Sequence, residues 1–191
     1  GEEAAAAANG QEPGDIKVQD VDGNGVITTD DRIIYSQRPD VTFGFNNTFN
    51  YKGFDLSVFL YARLGQWIAY DYNTTYRINA LENGGNVDYW TPENPTNAFP
   101  RPNKSKSYTQ VTYYSTLKYE DGSFFKIRDI TLGYTFKPEL LKHLNLSKLR
   151  VYATAKNFFT FSKIDNYDPE QGGSISFPMT KQLVFGLNVE F

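Results

Sequence analysis

The sequence contains no cysteine, which rules out a disulfide frame, thiol chemistry and a cysteine-based zinc site. It has one histidine, His143, so neither a zinc centre nor a Ser-His triad can be assembled around it. No G-x-S-x-G elbow and no phosphate-cradling glycine loop is present. The neighbouring acids Asp30-Asp31 and Asp168/Glu170 lie in polar segments, with no apolar setting to raise one pKa, so glycoside hydrolysis is unsupported. These absences together argue against an enzyme. The net charge of -3 is spread along the chain without a basic patch, which argues against nucleic acid. No apolar run approaches the roughly 18 residues that a membrane helix needs. The first residues do not read as a signal peptide, so an exported chain is expected to begin downstream of one.

What is abundant is aromatic. Phe, Tyr and Trp make up 16% of the residues, with 15 Phe and 14 Tyr, although the mean hydropathy is -0.52. A transmembrane β-barrel reconciles the two, because its strands alternate lipid-facing and lumen-facing residues and carry aromatic girdles at both interfaces. From Lys181 to Phe191 the apolar residues Leu183, Phe185, Leu187, Val189 and Phe191 fall at every second position. The same period predicts strands over 41–50, 54–64, 124–136 and 149–161. The first two are joined at 51–53 by a turn whose Gly53 supplies the unusual backbone angles. Pro138 is placed to open a short helix between the third and fourth.

The remainder organises around these strands. Residues 1–13 are low in complexity and read as a loop or chain edge, and 14–40 as a loop. Residues 41–191 carry the strands, with long aperiodic connections at 65–123 and 162–180. If Phe191 lies in the periplasm, the short connections 51–53 and 137–148 fall on the periplasmic side and both long ones outside. That is the asymmetry of bacterial outer-membrane barrels. Five strands cannot close a membrane barrel, since the smallest have about eight. An open sheet in lipid would leave edge groups that each cost several kcal/mol. The expected architecture is therefore a part of a larger antiparallel transmembrane β-barrel.

Several segments, in order, resemble the C-terminal region of SusC/RagA-type TonB-dependent outer-membrane transporters. They are G-D-I-K-V-Q-D-V-D-G-N-G-V-I-T-T-D-D-R (14–32), Y-K-G-F-D-L-S-V-F (51–59), Y-W-T-P-E-N-P (89–95), D-G-S-F-F-K-I-R-D-I-T-L-G-Y-T-F (121–136), L-R-V-Y-A-T-A-K-N-F-F-T-F-S-K (149–163) and Y-D-P-E (167–170), with the strand ending at Phe191. The resemblance implies the last five strands of a plugged barrel of about 22. It also implies import of glycans or peptides, a SusD-like surface lipoprotein over the mouth, and energy from TonB acting on an upstream region. The terminal strand, Leu183 to Phe191, is then expected to pair with the first strand, its aromatic end read by the barrel assembly machinery.

The sharpest chemical motif is Asp20 to Asp31, which follows the calcium-loop template D-x-[DN]-x-[DN]-G-x5-E with Asp for the final Glu. Asp20, Asp22, Asn24, the Val26 carbonyl and Asp31 are the candidate ligands for Ca2+, or for Mg2+ given the shorter last side chain. The alternative is an Asp/Gly/Asn turn held by side-chain-to-backbone hydrogen bonds. Trp67, Trp90 and Tyr72 are candidate sugar-stacking surfaces, or else interface anchors and loop packing. Asp55, Arg63, Lys126, Arg128, Lys156 and Glu190 are expected on the lumen side. Two other readings stay open: a calcium-stabilised carbohydrate-binding β-sandwich, and an outer-membrane barrel without transport.

Overall fold

The computed structural model describes Ala7 and residues 11–70, 88–101, 115–177 and 179–191. In chain order come β1 (Val41–Tyr51), β2 (Phe54–Leu64), β3 (Trp67–Ala69), α1 (Ser115–Lys118), β4 (Tyr119–Asp121) and β5 (Phe124–Thr135). These are followed by α2 (Pro138–Leu141), β6 (Lys148–Ser162) and β7 (Gln182–Glu190). Single 3-10 turns stand at Thr29–Asp31, Lys142–Leu144 and Pro169–Gln171. The chain divides into two compact units, residues 1–35 with 68–120 and residues 36–67 with 121–191.

The second unit is built on one antiparallel sheet in the order β1-β2-β5-β6-β7. Its strands coincide with the five expected from periodicity to within two residues at each end. A meander of this kind puts the connections 52–53 and 136–147 at one end of the sheet. The two long connections lie at the other. The stretch expected to be aperiodic, 65–123, contains the small two-stranded sheet β3–β4. Strands of three residues are too short to show a period.

The β1–β2 turn is tighter than the sequence implied. Tyr51 pairs with Phe54, so the loop has two residues, and both have positive φ: +47° at Lys52 and +89° at Gly53. Two left-handed residues give a turn whose twist matches the flanking strands. At the same end Pro138 opens α2, as expected, and Leu141 is buried. Asn145, at φ +53°, then closes the following 3-10 turn.

Registry sorts the side chains onto two faces. Phe43, Ala62, Phe125 and Phe161 form one cross-strand row, and Leu56, Leu132, Ala153 and Phe185 another. The opposite face carries Asp55, Ser57, Tyr61, Arg63, Lys126, Asp129, Thr131, Arg150, Thr154, Lys156 and Glu190. In β5 the apolar side chains switch from odd numbers (Phe125, Ile127) to even ones (Ile130, Leu132, Tyr134). A bulge absorbs the switch: Leu60 pairs with Ile127 and Phe59 with Asp129, so Arg128 is the extra residue. The bulge keeps both halves of the strand's apolar set on one face. The β5–β6 ladder is irregular at the same level, near Asn157 at φ +58°.

Exposure is the reverse of that in a water-soluble sheet. Large side chains of the apolar face stand open, among them Phe49 at 60%, Phe161 at 58% and Phe185 at 74% relative exposure. On the polar face Lys126 is fully buried, Phe124 is buried near it, and Thr154 is buried farther along the sheet.

The turn geometry gives opposite expectations for two neighbouring residues. A Cβ at residue 53 would lie 2.8 Å from the Thr135 carbonyl oxygen, in a backbone conformation that costs about 1–2 kcal/mol for a non-glycine residue. Gly53→Ala should therefore lower the denaturant midpoint of the folded barrel. Lys52→Asn, better suited to positive φ, should leave it unchanged or raise it.

Candidate functional site

The polar face is organised by ion pairs that cross strands. At the short-connection end the Arg150 guanidinium grips the Asp55 carboxylate through Nε at 2.8 Å and Nη2 at 2.5 Å. The pair joins β6 to β2 over β5, and Gly133 makes room for it. A Cβ at Gly133 would lie 2.5 Å from both Asp55 and Arg150. Arg150 also covers the ring of Tyr152 at 4.8 Å, and that ring lies down on Gly186, where a Cβ would come within 2.2 Å. Two glycines thus keep a shallow wall on which charged and aromatic groups lie flat. Toward the middle of the sheet the Thr131 and Thr154 hydroxyls hydrogen-bond at 2.8 Å, and at the short-connection end Lys148 meets Glu190 at 2.8 Å.

The long-connection end is built around Lys126. Its Nζ donates to both oxygens of Asp168, at 2.8 and 2.7 Å, and to Glu170 Oε2 at 2.8 Å. Glu170 Oε1 lies 3.0 Å from Arg128. An ammonium withdrawn from water costs several kcal/mol unless it is paired and hydrogen-bonded. Here the chain supplies both acids from one short loop, with Pro169 fully buried between them. The acids of loop 162–180, read from the sequence as lying in a polar segment, are therefore what pins that loop to the sheet. Lys126, expected only to face the lumen, is the anchor. Sequence spacing gave no sign of this pairing.

In the first unit the carboxylates of Asp20, Asp22 and Asp31 each place an oxygen within 4.8 Å of the others. Gly23 and Gly25, both at positive φ, turn the backbone so that their N–H groups donate to Asp20 Oδ1 and Oδ2 at 2.7 Å. Asn24 donates to Asp22, and its Oδ1 accepts from Val26 N–H at 2.7 Å. Asp31 accepts from Thr28 N–H and Val21 N–H at 2.7 Å, and these bonds hold its carboxyl below the ordinary value of 3.8. The structure thus brings the three expected carboxylates together. It also shows the side-chain-to-backbone bonds of the alternative reading. The two coexist, because a carboxylate oxygen that accepts one N–H keeps a further lone pair.

The aromatic candidates fare unequally. Trp67 is 36% exposed. Trp90 lies against Gly14, so closely that a Cβ there would come within 2.3 Å of its ring, and one face is therefore closed to a ligand. Arg101 holds that arrangement, donating its backbone N–H to the Gly14 carbonyl at 2.9 Å and its Nε to Asp15 at 2.9 Å. Tyr72 lies outside the described residues. Along β7, Leu183, Phe185, Leu187 and Val189 are all exposed on the apolar face, and Phe191 beyond it is 94% exposed.

No family model matches the chain. Among curated proteins, TonB-dependent receptor P3 of Formosa agariphila is 30% identical over the whole of this chain. The TonB-dependent receptor SusC of Bacteroides thetaiotaomicron is 31% identical over 90% of it. A solved structure of the RagAB peptide transporter superposes on 84% of the chain with a TM-score of 0.65 at 26% identity. The chain is a SusC/RagA-like segment. It spans about a fifth of the length of these relatives: 20% of P3, 17% of SusC and 18% of the RagAB chain. The SusC/RagA likeness agrees with the antiparallel sheet. These relatives are receptors and transporters, not enzymes.

The Asp31 bonds give the loop of this segment a pH dependence of definite sign. A carboxyl held below its ordinary value stabilises the loop above pH 3.8 and loses that contribution as the pH falls through its folded pKa. Hydrogen-exchange protection of the Thr28 and Val21 amides, relative to that of sheet amides, should therefore fall on acidification below pH 3.8. Asp31→Asn should remove the dependence.

Proposed function

We propose that the chain forms wall strands of an outer-membrane barrel that imports oligomeric nutrients with TonB energy, and that the polar face of its sheet lines the lumen. One observation carries this reading: the open face is the apolar one and the covered face is the charged one. Five strands about 4.8 Å apart, the shortest of nine residues, make a face of roughly 700 Å2 or more, above the 300–600 Å2 of a typical monomer's largest apolar patch. Lipid removes that liability. A strand of eleven residues, such as β1, tilted by about 40° rises about 28 Å, close to the height of a barrel's apolar band. A carbohydrate-binding sandwich would need a second sheet over the apolar face, and none covers it among the described residues.

The rest of the reading extends from the edges of the sheet. β1 and β7 each keep one unpaired edge in this sheet, and unsatisfied edge groups in lipid cost several kcal/mol apiece. β1 then continues onto upstream strands, and β7 closes on the first strand of a barrel of about 22. Leu183, Phe185, Leu187 and Val189 face lipid there, and Phe191 serves as the signal for the assembly machinery. The short connections lie in the periplasm. Loop 14–40 and the long connections face outward, where a SusD-like lipoprotein would dock, and a plug from upstream fills the lumen. The RagAB relative is a peptide transporter by description, and glycan or peptide oligomers are the substrate class for this chain. At the outer surface Asp20, Asp22, Asn24, the Val26 carbonyl and Asp31 would hold Ca2+, which would stiffen the loop.

Two measurements test these points. Because the chain has no cysteine, single cysteines carry spin labels without background. In the membrane-inserted barrel, labels at Leu132 and Leu187 should collide preferentially with oxygen, and labels at Thr131 and Asn188 with an aqueous nickel chelate. Equal collision ratios on the two faces would overturn the wall assignment. Calcium titration by calorimetry should give a saturable site that Asp20→Asn or Asp31→Asn weakens about tenfold or more. A wild-type protein that takes up no Ca2+ would leave the loop as a hydrogen-bonded turn.

A further inference from the structure

At the long-connection end of the polar face one strand cation has no ion pair among the described residues. Lys126 takes both oxygens of Asp168 and one of Glu170, and Arg128 takes the other oxygen of Glu170. Nearby, Asp129 is committed to Lys156 at 3.8 Å. Arg63 is left over. Its register neighbours are Thr42 on β1 and Phe124 on β5, neither charged, and no carboxylate among the described residues pairs with it. Lys126 and Arg128 thus take up Asp168 and Glu170, while Asp40, just before β1, lies over Gly65 and makes no ion pair with Arg63.

Arg63 is nevertheless held in place. Its Nε donates to the Tyr61 hydroxyl at 2.7 Å, and its guanidinium carbon lies 5.5 Å from the centre of the Tyr61 ring. Arg128 stands at the same distance from that ring. Phe124, nearly fully buried, packs on Tyr61 at 5.7 Å and fixes the aromatic group from the other strand. A half-buried guanidinium with one of its five donors bound to a phenol still has its two terminal nitrogens to offer. That planar fork matches a carboxylate, and the match is stronger where the side chain is pre-oriented.

We propose that Arg63, oriented by Tyr61 and backed by Arg128, is a carboxylate-binding subsite on the lumen wall, so that the imported oligomer carries an acidic group. The proposal rests on the lumen assignment above and deepens it. The carboxylate has two chemical sources, the uronate of an acidic sugar or the free C-terminus of a peptide. Both present the same planar anion to the fork.

Modification by phenylglyoxal tests it on the wild-type receptor that carries this segment, reconstituted in membrane and read residue by residue by mass spectrometry. The probes are trigalacturonate and trialanine, each beside its neutral counterpart (galactotriose, trialanine amide) at matched ionic strength. An occupied fork should slow modification of Arg63 about threefold or more with a carboxylate probe and leave it unchanged with the neutral one. Arg150, locked onto Asp55, should react slowly throughout. Protection by trigalacturonate alone assigns an acidic sugar, and protection by trialanine alone a peptide terminus. Equal rates at Arg63 with all four compounds overturn the subsite. Spin labels at Leu132 and Leu187 that still report lipid would then show that the subsite has failed and the wall assignment has not.

Discussion

The constraint on which the rest depends is that one face of the sheet carries almost no polar group. The charges of the five long strands therefore lie on the other face, and all but Arg63 find their partners there. This explains why Arg150 reaches across a whole strand to Asp55, and why Lys126 recruits a loop. It also explains the bulge at Arg128. Without an extra residue at that level, either Phe125 and Ile127 or Ile130, Leu132 and Tyr134 would turn onto the charged face. One irregular residue keeps five apolar side chains together.

The polar wall is shaped by what is missing from it as much as by what it holds. Gly133 and Gly186 carry no Cβ because Asp55, Arg150 and Tyr152 occupy that space. At the short-connection end the wall is consequently flat and fully ion-paired. At the other end it is layered: aromatic rings lie on the strands, cations on the rings, and the acids of loop 162–180 over the cations. The uncompensated charge is found in this layered region. A surface whose charges all pair offers a passing solute little to hold. A single oriented guanidinium left over offers a great deal.

The loop from Asp20 to Asp31 follows a different logic. Its carboxylates converge because glycines at positive φ turn backbone N–H groups toward them, not because a core packs behind them. Every residue from Val21 to Asp30 is exposed, so the loop's order comes from local hydrogen bonds alone. A bound cation would add to that order directly, since little else holds the loop.

By itself the sequence determined where the five long strands run, which side chains share a face in their uninterrupted stretches, and that the short connections share one end. It also determined the Asp20–Asp31 loop and the opening of α2 at Pro138. All of these are local: an alternation of period two, a spacing of acids and glycines, a proline at a first turn. Only the tertiary structure decided the pairings between distant residues. Asp55 and Arg150 stand 95 positions apart, and Lys126 and Asp168 stand 42 apart. Their meeting depends on cross-strand register, on the offset that the Arg128 bulge introduces, and on a loop that folds back. Trp90, readable in sequence as an open aromatic surface, has one face taken by Gly14 for the same reason. Arg63 looked like one lumen cation among several, and it stands apart only once the other charges on the five strands have found their partners. Period and spacing report which way a side chain points, whereas a partner is fixed by what the rest of the chain brings to that place.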